Sequence, residues 1–198
     1  MKAWVSLVAL FFTGLTALAP AWPQDLEGWD RYLDRPRGPY RAQVVDADSK
    51  APLVGAVVVA LWRRDHIYPF HIGTENHAVR EVVTDSDGRF LLDATDVERG
   101  APRRTRKPEF LIFKAGYGSF PRFQRAPRGF TGGIFEGKGV IIELPRLESR
   151  DERRRQLLTL DPHSLSDRPS TDLPILVRQI TEESLAVGLG RYPQEEKD

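Results

Sequence analysis

The chain has 198 residues, with 29 basic and 28 acidic side chains and a formal net charge of +1. A balance this close to neutral gives no argument for nucleic acid or an anionic membrane as a partner. It contains no cysteine, which excludes structural disulfides, thiolate metal sites and lipid attachment to an N-terminal cysteine.

Met1 and Lys2 make a short positive start, Ala3–Leu18 is almost wholly apolar, and Ala19-Pro20-Ala21 supplies the small residues that a signal peptidase reads. This is the layout of a secretory signal peptide over residues 1–21, cleaved after Ala21. An uncleaved membrane anchor is the alternative, but the run is shorter than the ~20 residues of a full span. Without Lys2 the mature chain is neutral, with 28 basic and 28 acidic residues. Residues 22–39, with Pro23, Pro36 and Pro39, form an N-terminal linker in which Leu26–Leu33 has the pattern of a helical turn.

Tyr40–Asp46 reads as the first strand, and Asp46-Ala47-Asp48-Ser49-Lys50 as a turn, because Asp and Ser side chains bond nearby backbone groups. Ala56–Trp62 is apolar on both faces, as in a central strand covered on both sides. Arg63–Ala78 is polar and reads as a loop. Val79–Thr84, the tight turn Asp85-Ser86-Asp87-Gly88 and Arg89–Leu92 read as a hairpin. Phe110–Lys114 and Val140–Leu144 complete six or seven short strands with no helical period between them. The expected fold is mainly β, an antiparallel β-sandwich over 40–145. Beyond Pro145 a C-terminal helical extension begins. Arg146–Leu160 is rich in Arg, Glu and Leu and predicts a helix, and Pro162 and Pro169 break it. A second helix follows Asp172, which is placed to cap it with Pro174 in the first turn, and runs to Gly188–Gly190. Leu157, Leu158, Leu160, Ile175, Leu176, Ile180 and Leu185 then need a surface to cover, one face or edge of the sandwich. Tyr192–Asp198 has the composition of a disordered end.

Three stretches, Val44-Val45-Asp46-Ala47, Pro52-Leu53-Val54-Gly55-Ala56-Val57-Val58 and Thr84-Asp85-Ser86-Asp87-Gly88-Arg89-Phe90, together resemble the carboxypeptidase regulatory-like domain, a relative of the transthyretin-like sandwiches. Phe113-Lys114-Ala115-Gly116-Tyr117 matches the K-x-G-Y strand end of such domains. The resemblance covers about 40–144. It implies a seven-stranded antiparallel β-sandwich, usually extracytoplasmic, that serves as an accessory or binding module and has no catalytic residues of its own. The Arg63–Ala78 and Gly116–Gly139 segments are longer than the family pattern, and the helical extension lies outside it.

Four constellations are candidate sites. His66, His71 and His77 fall in one stretch and suggest a zinc or copper site completed by Asp65 or Glu75, although spacings of five and six residues match no standard ligand pattern. Asp85-Ser86-Asp87-Gly88 resembles the start of a calcium loop, but the following strand leaves no further oxygen ligands, and a turn is the better reading. A basic cluster of Arg99, Arg103, Arg104, Arg106 and Lys107 precedes Arg122, Arg125 and Arg128, which alternate with Phe120, Phe123, Phe130 and Phe135. Cations and aromatics so interleaved suit an anionic glycan, a phosphate or an acidic protein face. Arg122, Phe123, Arg125 and Arg128, with Tyr68 and Phe70 from the first long segment, are the candidate binding residues.

Nucleophile-plus-base arrangements are absent. Ser119, Ser164 and Ser166 lie in no GxSxG context, and His163 beside Asp161 and Ser164 is a triad by composition alone. The reading is a non-enzymatic exported module without cofactor, binding a protein or glycan in the bacterial envelope and not nucleic acid. A metal-binding protein or metal-dependent enzyme using the three histidines, and a structural component of an envelope assembly, are the alternatives.

Overall fold

The computed structural model describes residues 38–99, 101, 104–122 and 139–190. The signal-peptide and linker readings, apart from Gly38 and Pro39, lie outside these residues, as does the disordered-end reading for Tyr192–Asp198. Six strands are present: β1 (Tyr40–Asp46), β2 (Val57–Ile67), β3 (Ile72–Val83), β4 (Arg89–Leu92), β5 (Glu109–Phe113) and β6 (Ile141–Leu144). They form two three-stranded sheets, ordered β4-β1-β6 and β3-β2-β5. The seventh strand that the resemblance implies is not among the described residues. Five short helical elements accompany the strands: α1 (Thr95–Arg99), α2 (Arg150–Leu157), a 3₁₀ turn (Pro162–Ser164), α3 (Pro169–Asp172) and α4 (Pro174–Ala186).

Alternation along each strand explains how these elements assemble. In β1, Tyr40, Ala42 and Val44 point inward, as do Phe90 and Leu92 of β4 and Ile142 and Leu144 of β6. They meet Val58, Ala60 and Trp62 of β2 and Phe110 and Ile112 of β5 in one core between the sheets. The alternate residues Val57, Val59 and Phe113 point the other way and join a second core with Leu157, Leu173, Leu176, Ile180 and Val187 of the C-terminal extension. The middle sheet is therefore covered on both faces, which is why Ala56–Trp62 carries no polar residue. Of the leucines expected on this face, Leu158 and Leu185 turn outward instead, at 75% and 52% exposure.

Several expectations are corrected. The sheets are not wholly antiparallel: β1 and β6 pair in parallel, Gln43 opposite Ile141 through Asp46 opposite Leu144. Four strands lie between β1 and β6 in sequence, so the two are joined by a long crossover, as parallel neighbours require, rather than by a tight turn. The segment Arg63–Ala78 is not a loop. β2 and β3 continue through it as an antiparallel hairpin. Nor do β3 and β4 form a hairpin. The Asp85–Gly88 turn exists, closed by the Gly88 N–H donating to the Asp85 carbonyl at 3.0 Å, but it carries the chain from one sheet to the other, where β4 pairs with β1. A one-turn helix, α1, also interrupts the strands.

The first helix of the extension is shorter than expected. It begins at Ser149, whose hydroxyl accepts from the Glu152 N–H while the Glu152 carboxylate accepts from the Ser149 N–H, both at 3.2 Å, a reciprocal capping box. The cap of α4 is not Asp172, whose carboxylate accepts from the Ser166 hydroxyl at 2.5 Å. Glu81 from β3 does the capping. Its two carboxylate oxygens accept from the Ile175 and Leu176 N–H groups at 2.8 and 3.0 Å. This satisfies two donors that a helix start otherwise leaves orphaned and places negative charge at the positive end of the helix.

The half-buried Glu81 carboxyl is nonetheless pushed above the ordinary value of 4.5, because burial outweighs the two cap bonds that pull it down. The folded chain then holds this proton more tightly than the unfolded chain does. The contribution to stability is greatest below pH 4.5 and declines as pH rises through the elevated value. Thermal midpoints of the wild type and Glu81→Gln, measured by circular dichroism from pH 4 upward, are expected to diverge, with the wild type losing ground at higher pH. A pH-independent difference between the two would rule this out.

Candidate functional site

β5 supports β2 only as far as the Leu61–Glu109 pair. Beyond it β2 and β3 run on as a two-stranded ribbon to a last pair, Ile67 with Ile72. The turn closes with the Tyr68 N–H donating to the His71 carbonyl at 2.9 Å. Four large apolar side chains stand exposed there, with Phe70 98%, Ile72 62%, Ile67 56% and Tyr68 49% accessible. Tyr68 is braced: its ring stacks on His71 at 4.6 Å between centroids and lies over Gly73, where an added Cβ would come within 2.9 Å of it. Phe70 has no such support and projects outward.

Cross-strand polar bonds hold the ribbon together. Glu75 meets His66 at 2.5 Å and Arg64 at 3.8 Å, and its carboxyl is held below its usual value, chiefly by the His66 hydrogen bond. Asp65, 4% exposed, accepts from the Thr74 hydroxyl at 2.9 Å and pairs with Arg106 at 2.8 Å. The 104–106 stretch adds a short third rail. Asp65 donates its N–H to the Arg104 carbonyl at 3.1 Å, and the Arg106 N–H donates to the Arg63 carbonyl at 2.6 Å. Arg63 reaches Glu109 at 3.7 Å. Within the described part of the basic cluster, Arg106 is thus matched by a carboxylate.

The three histidines are separated by what each does in the ribbon. His66 is bound to Glu75 and His71 is stacked on Tyr68. His77 is the extra residue of a β-bulge, since Trp62 faces Ala78 whereas Arg63 faces Asn76. Among the described residues no group of three or more His, Asp or Glu side chains is placed to hold a metal ion. Closeness of His66, His71 and His77 in sequence does not by itself gather their rings when the stretch is a ribbon.

The other candidates resolve into local structure. Asp85 accepts from the N–H groups of Asp87 and Arg89 at 2.9 and 2.8 Å, so its carboxylate shapes a turn. Asp161 accepts from the His163 N–H at 3.0 Å and Ser164 donates its hydroxyl to the Asp161 carbonyl at 2.7 Å, which makes a 3₁₀ start rather than a triad. Phe120 is buried in the core between the sheets, and Arg122 is exposed at the surface. Phe123, Arg125, Arg128, Phe130 and Phe135 lie outside the described residues, as does Arg103.

The family-like motifs act as fasteners. The Thr84 hydroxyl accepts from the Ala56 N–H at 2.8 Å and donates to the Leu53 carbonyl at 2.5 Å. Lys114 donates to the Val54 carbonyl at 2.8 Å and the Tyr117 hydroxyl to Asp46 at 3.0 Å. The Asp46 carboxyl lies at about 2, lowered first by the Ser49 N–H and then, against burial, by the Asp48 N–H and the Tyr117 hydroxyl.

Sequence reasoning missed a cleft between the middle sheet and the helical extension. Its volume is about 360 Å³. Val59 and Leu61 of β2 and Leu176 and Ile180 of α4 are among its walls, and Glu109, Thr159, Asp161 and Ser164 stand at its rim. No local pattern marks it, because its walls come from three distant parts of the chain.

No helix among the described residues is long and apolar enough to cross a membrane. No family model matches the chain, and no curated protein matches it. Among solved structures the chain is similar to 3-chlorocatechol 1,2-dioxygenase from Rhodococcus opacus, with 17% identity over 58% of this chain and a TM-score of 0.29. The chain spans 62% of that protein's length, and a likeness of this size carries no argument about activity.

Proposed function

We propose that the protein is an exported, non-enzymatic β-sandwich module of the carboxypeptidase regulatory-like type that binds a protein partner in the cell envelope through the tip of the β2–β3 ribbon. One observation carries this reading: Phe70 is 98% exposed at the end of a ribbon braced by cross-strand polar bonds. Clustered apolar side chains on a projecting, stiffened element bury little of their own fold and fit the anchor-and-pocket pattern of protein interfaces. A glycan would need a wall of polar donors and acceptors. Ile67, Phe70 and Ile72 offer none, so a protein pocket fits better. The signal-like residues 1–21 and the motif resemblance support the envelope location.

The test is a photo-crosslinking residue placed at Phe70 in the full chain expressed in its source cells, with a second chain carrying it at Lys50 on the far turn. A discrete protein adduct from position 70, absent from position 50 and lost when Ile67 and Ile72 are changed to serine, is the expected result. With the partner in hand, Phe70→Ala is expected to weaken binding by about 2 kcal/mol, roughly thirty-fold. Equal adducts from both positions, or unchanged affinity in Phe70→Ala, would refute the assignment.

A further inference from the structure

The geometry points to a second, independent site: we infer that the cleft between the middle sheet and the C-terminal helices binds a small apolar molecule bearing a hydroxyl group, and discriminates against carboxylates and phosphates. Its volume of about 360 Å³ falls within the range of roughly 300–1,000 Å³ typical of small-molecule sites. The lining Leu111, Leu160 and Leu165 are half-buried, so the walls expose hydrocarbon that water solvates poorly. An apolar molecule gains there both burial and dispersion contacts.

Accounting for donors at the rim sets the polar end of the ligand. The Thr159 hydroxyl proton is committed to the Gln156 carbonyl at 2.6 Å, and the Ser164 hydroxyl proton to the Asp161 carbonyl at 2.7 Å. Both oxygens keep lone pairs for use as acceptors. The ionisable residues lining the cleft are Glu109 and Asp161, and as carboxylates they too only accept. Asp161 already takes the His163 N–H at 3.0 Å, and Arg63 approaches Glu109 at 3.7 Å without lining the cleft. A rim that, among the described residues, has acceptors and negative charge and no lining cation welcomes a hydroxyl donor and repels an anionic headgroup.

Calorimetric titration of the full chain with 1-octanol and with octanoate tests this directly, because the two share a chain and differ in the headgroup. Saturable octanol binding, with octanoate weaker by about ten-fold or more, is expected. Leu165→Trp places an indole at the cleft wall and is expected to remove about ten-fold or more of the octanol affinity with the circular dichroism spectrum unchanged. Should that variant fail to fold, Glu109→Lys decides at an exposed rim position: a cation there is expected to bring octanoate binding up towards that of octanol. The inference is overturned if octanol shows no saturable binding, if octanoate binds the wild type as well as octanol does, or if neither substitution shifts its affinity.

Discussion

Gly88→Ala is expected to destabilise the protein by about 3 kcal/mol or more, the sum of a left-handed backbone cost of roughly 1–2 kcal/mol and an overpacking cost of roughly 1–3 kcal/mol. Gly88 has φ +70°, and a Cβ there would lie 2.4 Å from the Val44 carbonyl oxygen, 3.0 Å from the Leu53 nitrogen and 3.2 Å from the Pro52 Cα. All three are backbone atoms, so no rotamer change relieves the clash. They are also fixed in place by their own bonds. The Val44 carbonyl accepts from the Leu53 N–H at 2.9 Å, and the Val44 N–H donates to the Gly88 carbonyl at 2.7 Å. Displacing the loop would break the seam joining β1 to the Pro52 turn. The expected fall in thermal midpoint is on the order of 6–12 °C for a chain of this size. Gly139→Ala is the control: Gly139 has φ +81° and, among the described residues, nothing within 4 Å of an added Cβ, so it is expected to carry the backbone cost alone. Equal losses for the two variants, read by thermal unfolding, would show that the close approach at Gly88 is not what demands glycine.

Arg153→Ala is the second large effect, expected at about 3 kcal/mol because it strands a buried carboxylate. Arg153 donates from Nε and one terminal nitrogen to both oxygens of Glu183, each at 2.6 Å, and the Glu183 side chain is 5% exposed. The remaining bond to Glu183 comes from the Gly116 N–H at 3.2 Å. The pair thus ties α2 to α4 and both to the end of β5. Deleting the guanidinium leaves one neutral donor to solvate a charge in the helix–sheet seam. Removing both partners is a different matter, since a packed apolar pair is nearly neutral in such a position. Arg153→Met combined with Glu183→Leu is therefore expected to recover most of the loss. Urea midpoints for Arg153→Met, Glu183→Leu and the double variant form the cycle. Additive losses would mean that the two residues act separately.

What the sequence disclosed and what it hid follow one physical division. Where a strand has one buried face, alternation reveals it: the bounds of β1 and of β4 match the sequence reading residue for residue, and the two-sided apolar run in β2 announced a strand with two cores. The turn chemistry of Asp46 and Asp85 was equally legible, because both carboxylates accept from backbone N–H groups two to four residues on. The ribbon was illegible because neither of its faces lies against a core. Its alternation is of polar partners, Arg64 with Glu75 and Asp65 with Thr74, and the bulge at His77 shifts even that register. The course of β4 was misread because a turn of the form Asp-Ser-Asp-Gly looks the same whether the chain returns to its own sheet or crosses to the next. Glu81 as a cap was beyond reach of local inspection, since it meets Ile175 across 94 positions of sequence. The cleft was hidden for the same reason.

The end of β5 at the Leu61–Glu109 pair, and of the 104–106 rail beside Asp65, makes the outermost ribbon an exchangeable cassette. Residues from Ile67 to Ile72 add nothing to either core. The ribbon can be lengthened one residue per strand, extending its reach by about 3.3 Å at each step, while the sheets beneath keep their packing. Each such step also turns the side chains at the tip to the opposite face. Reach and facing are thereby adjustable in a descendant of this chain without renegotiating its stability.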